Sequence, residues 1–202
     1  MKSFKTLMAL IAFAFATTHV QAQDGWETHT AKDGITTVKS RVQKTKDFTR
    51  IDYTVTSKGN FTLKEADEFF KNSANHKKFW ENCEKSEEFK KISENDWYTY
   101  LYFNYSWPMS DVDCAQHFTR TVTSEKVVFK ATTTPNAIED RGVDRSHLFD
   151  VIITVTPIDD ASSNITLEVS FGSTVSGPKW MINAWLPDGP KEIMERIIGE
   201  LE

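Results

Sequence analysis

Six β-type segments follow one another between residues 86 and 173, and one helix with apolar spacing closes the chain; no other feature constrains the fold as much. Ser86–Ser93, Trp97–Ser106, Ala115–Ser124, Val127–Thr133, His147–Thr156 and Ser163–Ser173 are rich in β-branched and aromatic residues and run longer than an average strand. Short connections make such strands pair antiparallel, and their length suits a strongly curved sheet. Phe149, Val151, Ile153 and Val155 share one face of their strand, and Ile165, Leu167, Val169 and Phe171 repeat that row on the last strand. Between Trp97 and Trp107 both faces carry rings, so both sides of that strand should be covered.

Ahead of this block, Trp26–Lys32 and Ile35–Val42 flank Asp33-Gly34, a hairpin signal because glycine supplies positive φ at the turn. A third strand is expected over Phe48–Ser57. Thr62 then precedes Leu63-Lys64-Glu65, the spacing of a capping box, which opens a helix running to about Ser73. A second short helix over Asn75–Glu81 carries Phe79 and Trp80.

From Pro178 to Leu201, Trp180, Met181, Ala184, Trp185, Ile193, Met194, Ile197 and Ile198 recur at helical spacing. Pro187, Gly189 and Pro190 interrupt that pattern. Either the interruption is a weak point in the helix or Pro190 starts a second helix in its first turn, where proline is tolerated. The expected class is α+β: a curved antiparallel sheet with helices packed on it, the long C-terminal helix above all.

Lys2 and Lys5, an apolar run from Leu7 to Ala16 and a polar stretch ending Val20-Gln21-Ala22 have the order of a secretory leader. The apolar run is shorter than the roughly 20 residues needed to span a bilayer. Cleavage after Ala22 is expected, leaving a single domain over residues 23–202 in an exported protein, periplasmic or secreted. The full chain has a net charge of −5, so it lacks the positive field a nucleic acid would require.

No catalytic constellation stands out. His29, His76, His117 and His147 show no zinc spacing, and no nucleophile elbow, phosphate loop or dinucleotide fingerprint occurs. Neither Cys83 nor Cys114 is marked as an activated thiol, and no cofactor is expected. The 14 Phe, 6 Trp and 5 Tyr either fill a core or line a pocket.

The order of elements, the Phe79-Trp80 pair, the string YSWPMSDVDC before a strand and PKWMINAWLPDGP in the last helix together resemble the START family of lipid-transfer domains. The resemblance spans residues 25–200 and implies the helix-grip fold, in which sheet and C-terminal helix enclose a tunnel for one lipid or sterol. It implies that the tunnel is lined by Leu101, Phe103, Phe118, Phe149, Val151, Leu167, Val169, Met181 and Trp185. The same rows would serve a solid core equally well. Where the family has an Arg-Asp pair after its proline segment this chain has Val112-Asp113, so Asp113 needs another partner; where some members carry a cavity charge it has Phe118. Arg120, at the same strand parity, is the candidate for a polar head-group contact or else faces solvent.

In the family's strand order, Cys83 and Cys114 precede strands two apart, about 9.6 Å from each other, so these candidate disulfide partners could bridge only from displaced strand ends. The function implied is non-catalytic binding, and transfer, of one lipid or other hydrophobic small molecule by a monomer in transient contact with a membrane. The alternative is a helix-grip enzyme, a cyclase or hydrolase acting on such a ligand.

Overall fold

In the computed structural model, residues 25–106, 109–173, 182 and 184–202 are described. The leader and Met181 lie outside these residues. The strands are β1 (Glu27–Thr30), β2 (Thr37–Lys44), β3 (Thr49–Gly59), β4 (Cys83–Ser93), β5 (Asp96–Phe103), β6 (Val112–Val122), β7 (Val127–Thr133), β8 (Asp144–Arg145), β9 (Phe149–Pro157) and β10 (Ser163–Ser173). The helices are α1 (Leu63–Lys71), α2 (His76–Phe79) and α3 (Asp188–Leu201). Neighbours across the sheet run β1-β2-β3-β10-β9-β7-β6-β5-β4, all antiparallel, and β8 adds a two-residue parallel pairing to β6.

Local signals account for much of this. Gly34 adopts φ +68°, and the Asp33 carboxylate accepts from the amides of Ile35 (2.8 Å) and Thr36 (3.0 Å). The turn is wider than the Asp-Gly step suggests, because Ala31 and Thr36 close it by a backbone bond, so β1 and β2 stop short of it. The Thr62–Glu65 capping box forms as expected: the Glu65 amide donates to Thr62 Oγ1 at 3.2 Å and the Thr62 amide to Glu65 Oε2 at 2.8 Å. β8 was not foreseen, since two polar residues carry no alternation.

The inner face collects Ile51, Tyr53 and Val55 of β3, Ile165, Leu167 and Val169 of β10, Val151, Ile153 and Val155 of β9, and Trp97, Leu101 and Phe103 of β5. α1 buries Ala66, Phe69 and Phe70, one helical stripe, and α3 buries Ile193, Met194 and Ile197. α3 packs on α2, β3, α1 and β2. The outer face of β5 is covered too, though by cations and a stacked imidazole instead of a second layer: Arg141 lies 4.0 Å and Lys85 5.7 Å from the Tyr100 ring, Lys90 5.3 Å from the Tyr98 ring, and the His117 ring stacks on Tyr98 at 4.6 Å.

The interruption of the last helix is real. A helical bond from the Leu186 amide to the Ile182 carbonyl (3.1 Å) ends one turn, and α3 begins with Pro187 as its N-cap. Pro190 falls in the first turn of α3, where its missing N–H has no partner to lose.

Candidate functional site

The turns β1–β2, β4–β5, β6–β7 and β9–β10 all lie at one end of the sheet, as the pairings Thr37↔Thr56, Ser93↔Asp96, Val122↔Val127 and Ser163↔Pro157 require. The β2–β3 connection, the end of β5, the start of β6, the segment before β9 and the end of β10 lie at the opposite, loop end. The two halves of the interior differ.

Toward the hairpin end the interior is filled by rings. Trp97 stacks on Phe118 at 5.5 Å, His76 lies 5.0 Å from Phe118, and Phe70 contacts Phe79 (5.9 Å) and Phe129 (5.8 Å). Polar atoms here mostly satisfy one another. Trp97 Nε1 donates to Ser73 Oγ (3.1 Å), which shares a 2.7 Å bond with Thr99 Oγ1, so the turn between α1 and α2 is fastened to β5.

The exception is His76. Its Nε2 meets the Phe70 carbonyl at 2.8 Å, so Nε2 carries the proton and Nδ1 is a bare acceptor. That Nδ1 is the one fully enclosed side-chain polar atom without a partner among the described residues. Burial brings the imidazole pKa down from 6.5 to about 4, the Phe70 carbonyl opposing only in part.

Toward the loop end four rings, Tyr105, Phe149, Phe171 and Trp185, remain half-buried beside buried ones. Phe149 lies between Trp80 (5.0 Å) and Phe103 (5.7 Å), and Phe103 stacks on Tyr105 at 6.2 Å. Across the sheet, Trp185 stands edge-on to Tyr53 and Phe171, each at 5.8 Å. Gly189 makes this possible, because a Cβ there would fall 2.0 Å from Trp185 Nε1. Phe149, Phe171, Tyr105 and Trp185 are partly buried and lean on the core, so an apolar surface is continuous from the interior to the loop end.

Of the residues expected to line a tunnel, Leu101, Phe103, Phe118, Val151, Leu167 and Val169 are buried on the inner face, and Phe149 and Trp185 stand at the loop end. Met181 lies outside the described residues. Arg120 is engaged elsewhere: its guanidinium makes a two-pronged ion pair with Asp67 of α1 and donates to Asn95 Oδ1 at 2.6 Å, clamping α1 to the hairpin end. Its strand parity was correct, but it lies beyond the aromatic plug and not among the apolar rows. Tyr53, Trp80 and Tyr105 join the apolar surface without having been foreseen. Tyr53 was legible at the inner parity of Ile51 and Val55, and Tyr105 at that of Leu101 and Phe103 in the strand expected over Trp97–Ser106, although β5 ends at Phe103; Trp80 lies outside any strand.

Asp113 is fully buried and has found its partner in Arg145, whose Nε and Nη2 meet the two carboxylate oxygens at 2.7 and 2.9 Å. Arg145 also donates to the carbonyls of Pro135, Ile138 and Glu139, tying the whole segment before β9 to β6. The candidate disulfide partners Cys83 and Cys114 are not bridged: they are free, buried thiols on strands separated by β5, the spacing that left a bridge to displaced strand ends alone. Burial pushes the Cys83 thiol up to about 12 and raises Cys114 likewise, so neither supplies a thiolate near neutrality.

A separate cleft of about 200 Å³ lies outside the interior, between the end of α1 and the β4–β5 hairpin. Lys71, Asn72, Glu88, Lys91, Ser93, Glu94 and Trp97 line it, a polar set unsuited to a hydrophobic ligand.

No protein-family model matches the sequence, and a search of curated proteins returns no match. The fold, in contrast, has many counterparts among solved structures. A STAR-related lipid transfer protein from Xanthomonas axonopodis superposes with a TM-score of 0.73 at 18% identity, over 88% of this chain and 99% of that one. Human StAR-related lipid transfer protein 5 gives 0.70 at 14% identity, over 90% and 88%. A Streptomyces aromatase/cyclase gives 0.55 at 9% identity, over 75% and 93%. The chain therefore has the helix-grip fold of START domains, as its element order and motifs implied.

Proposed function

We propose that this protein binds a single lipid or other hydrophobic small molecule within its sheet, without covalent chemistry, and carries it through water outside the cytoplasm. The observation that carries this reading is the continuous apolar surface running from the buried rows of β5, β9 and β10 to the half-buried rings Phe149, Phe171, Tyr105 and Trp185 at the loop end. Rings left half-wet at the edge of a core gain contact and lose water when an apolar ligand covers them, at roughly 25 cal/mol per Å². Solved structures of the same fold described as lipid transfer proteins support the reading. The break at Pro187 lets the turn carrying Trp185 move while α3 stays docked, so that turn serves as the lid. The carrier works as a monomer, touches membranes transiently and is released from its leader after Ala22.

Native mass spectrometry of protein recovered from its own compartment tests this. The expected mass begins at Gln23 and includes one apolar ligand per chain, extractable by organic solvent. Recovery of ligand-free protein only, which also fails to bind a hydrophobic fluorophore, would overturn it.

A second reading draws on the unpartnered Nδ1 of His76 and on the cyclase fold neighbour. The bare Nδ1 can accept a hydrogen bond from a polar group of a substrate that reaches it, although burial, which lowers the imidazole pKa to about 4, makes it a weak base. Ligand extracted chemically unchanged after prolonged incubation supports the carrier; a converted product supports the enzyme.

A further inference from the structure

Three ring donors at the loop end lack a hydrogen-bond partner. Tyr53 is 2% exposed, Trp80 is 7% exposed and Tyr105 is half-buried, yet the two phenol hydroxyls and the indole N–H donate to no oxygen of the described residues. Buried phenols and indoles ordinarily find such an acceptor, and elsewhere in this chain they do: Trp97 Nε1 donates to Ser73 Oγ and Tyr102 Oη to Asp111 at 2.6 Å. None of the three tips is sealed in apolar packing, because His76 Nδ1 is the one fully enclosed side-chain polar atom without a partner among the described residues. They therefore border space that a ligand can enter. Rings connect them: Tyr53 stands 6.3 Å from Phe171, which pairs across the sheet with Phe149, and Phe149 lies 5.0 Å from Trp80 and 5.7 Å from Phe103, on which Tyr105 stacks. Burial, and after it the nearby Tyr105 phenol, raises Tyr53, and burial pushes Tyr105 up to about 12, so both hydroxyls keep their protons and remain donors.

We propose that the bound molecule is a neutral lipid ester, its ester oxygens lying at the loop end where they accept from the ring donors Tyr53, Trp80 and Tyr105. This rests on the carrier reading above and adds to it the chemistry of the ligand's polar end. A plain hydrocarbon would strip water from three donors and give nothing back, at a cost of roughly tenfold in affinity for each donor left bare. An anionic head group would need a cation. No Lys or Arg among the described residues is buried, and Arg120, at inner parity, is held by Asp67 at the hairpin end. The charge that acts on Tyr105 is the Glu81 carboxylate, which repels an anion, while Lys77, the cation near Cys83, is exposed to water. An alcohol would bring an O–H of its own, for which the indole offers no acceptor, whereas an ester only accepts and offers two oxygens to the three donors.

Displacement of the neutral fluorophore Nile red from the purified protein tests this, with three competitors: methyl laurate, the straight-chain alkane of equal heavy-atom count, and laurate at about pH 8, where its carboxyl is ionised. Methyl laurate is expected to bind about tenfold or more tighter than the alkane, and laurate more weakly than the ester. Tyr53→Phe and Tyr105→Phe remove one hydroxyl each and keep the ring, so each should weaken the ester about fivefold and leave the alkane unchanged, while Tyr98→Phe on the outer face changes neither. Trp80→Phe should lower the ester-to-alkane ratio. The alkane thus reports in every variant that the protein is folded. Equal affinity of the parent for ester and alkane, tighter binding of laurate than of the ester, or an ester affinity that both tyrosine variants retain in full overturns the proposal and leaves the carrier reading standing. A parent that binds neither Nile red nor any competitor removes the carrier reading, and this proposal with it.

Discussion

Acidification should unfold this protein partly through His76, and the size of the effect follows from its surroundings. In the native state the imidazole is neutral, its pKa lowered from 6.5 to about 4 by burial among Phe79, Phe118 and the Phe70 carbonyl. The unfolded chain takes up the proton near pH 6.5 while the folded one resists it, so between these values the unfolded state binds more protons. Stability from this group is therefore full above about pH 6.5 and is lost as the pH falls toward about 4. The difference corresponds to about 3 kcal/mol in all, of which about 2 kcal/mol has gone by about pH 5.

His76→Gln keeps an N–H donor for the Phe70 carbonyl and cannot titrate. Urea unfolding of both proteins at about pH 7 and about pH 5 should show the parent losing about 2 kcal/mol more than the variant, with equal denaturant slopes. The carboxylates held below their usual range, Asp52 by its bonds to Ser170, Arg50 and Arg41 against the opposing burial and Glu65 by its cap, lose stability at lower pH and do so equally in both proteins. If parent and variant lose the same free energy, His76 is not a buried neutral group and the reasoning fails.

Arg145→Ala should cost about 3 kcal/mol or more by leaving Asp113 charged and buried, and Arg145→Lys should restore only part of it because one ammonium cannot meet both the carboxylate and three carbonyls; chemical denaturation measures both. Gly189→Ala should displace the Trp185 indole from Tyr53 and Phe171 and destabilise by about 1 to 3 kcal/mol, read as a shift in tryptophan emission and in Tm; an unchanged spectrum would refute the contact. Denatured, unreduced protein should titrate two thiols, and none would show that Cys83 and Cys114 are bridged after all.

Patterns with short range were legible in the sequence because the forces behind them act over a few residues. Alternation at period two put Phe149, Val151 and Leu167 on the inner face, and the Thr62–Glu65 capping box and the Gly34 turn formed where the spacing placed them. What depends on which strand lies beside which was decided only by the tertiary structure. Asp113 and Arg145 are 32 positions apart and Arg120 and Asp67 are 53 apart, so no local rule could pair them. Parity told correctly that Arg120 shares the face of Phe118, but not that the face has by then passed the aromatic plug and reached α1. The thiols illustrate the same limit, since their separation is set by β5 lying between them. The meeting of the Tyr53, Trp80 and Tyr105 donors at one end likewise exists only once the register of nine antiparallel strands is set, because each alone is one ordinary aromatic residue of a core.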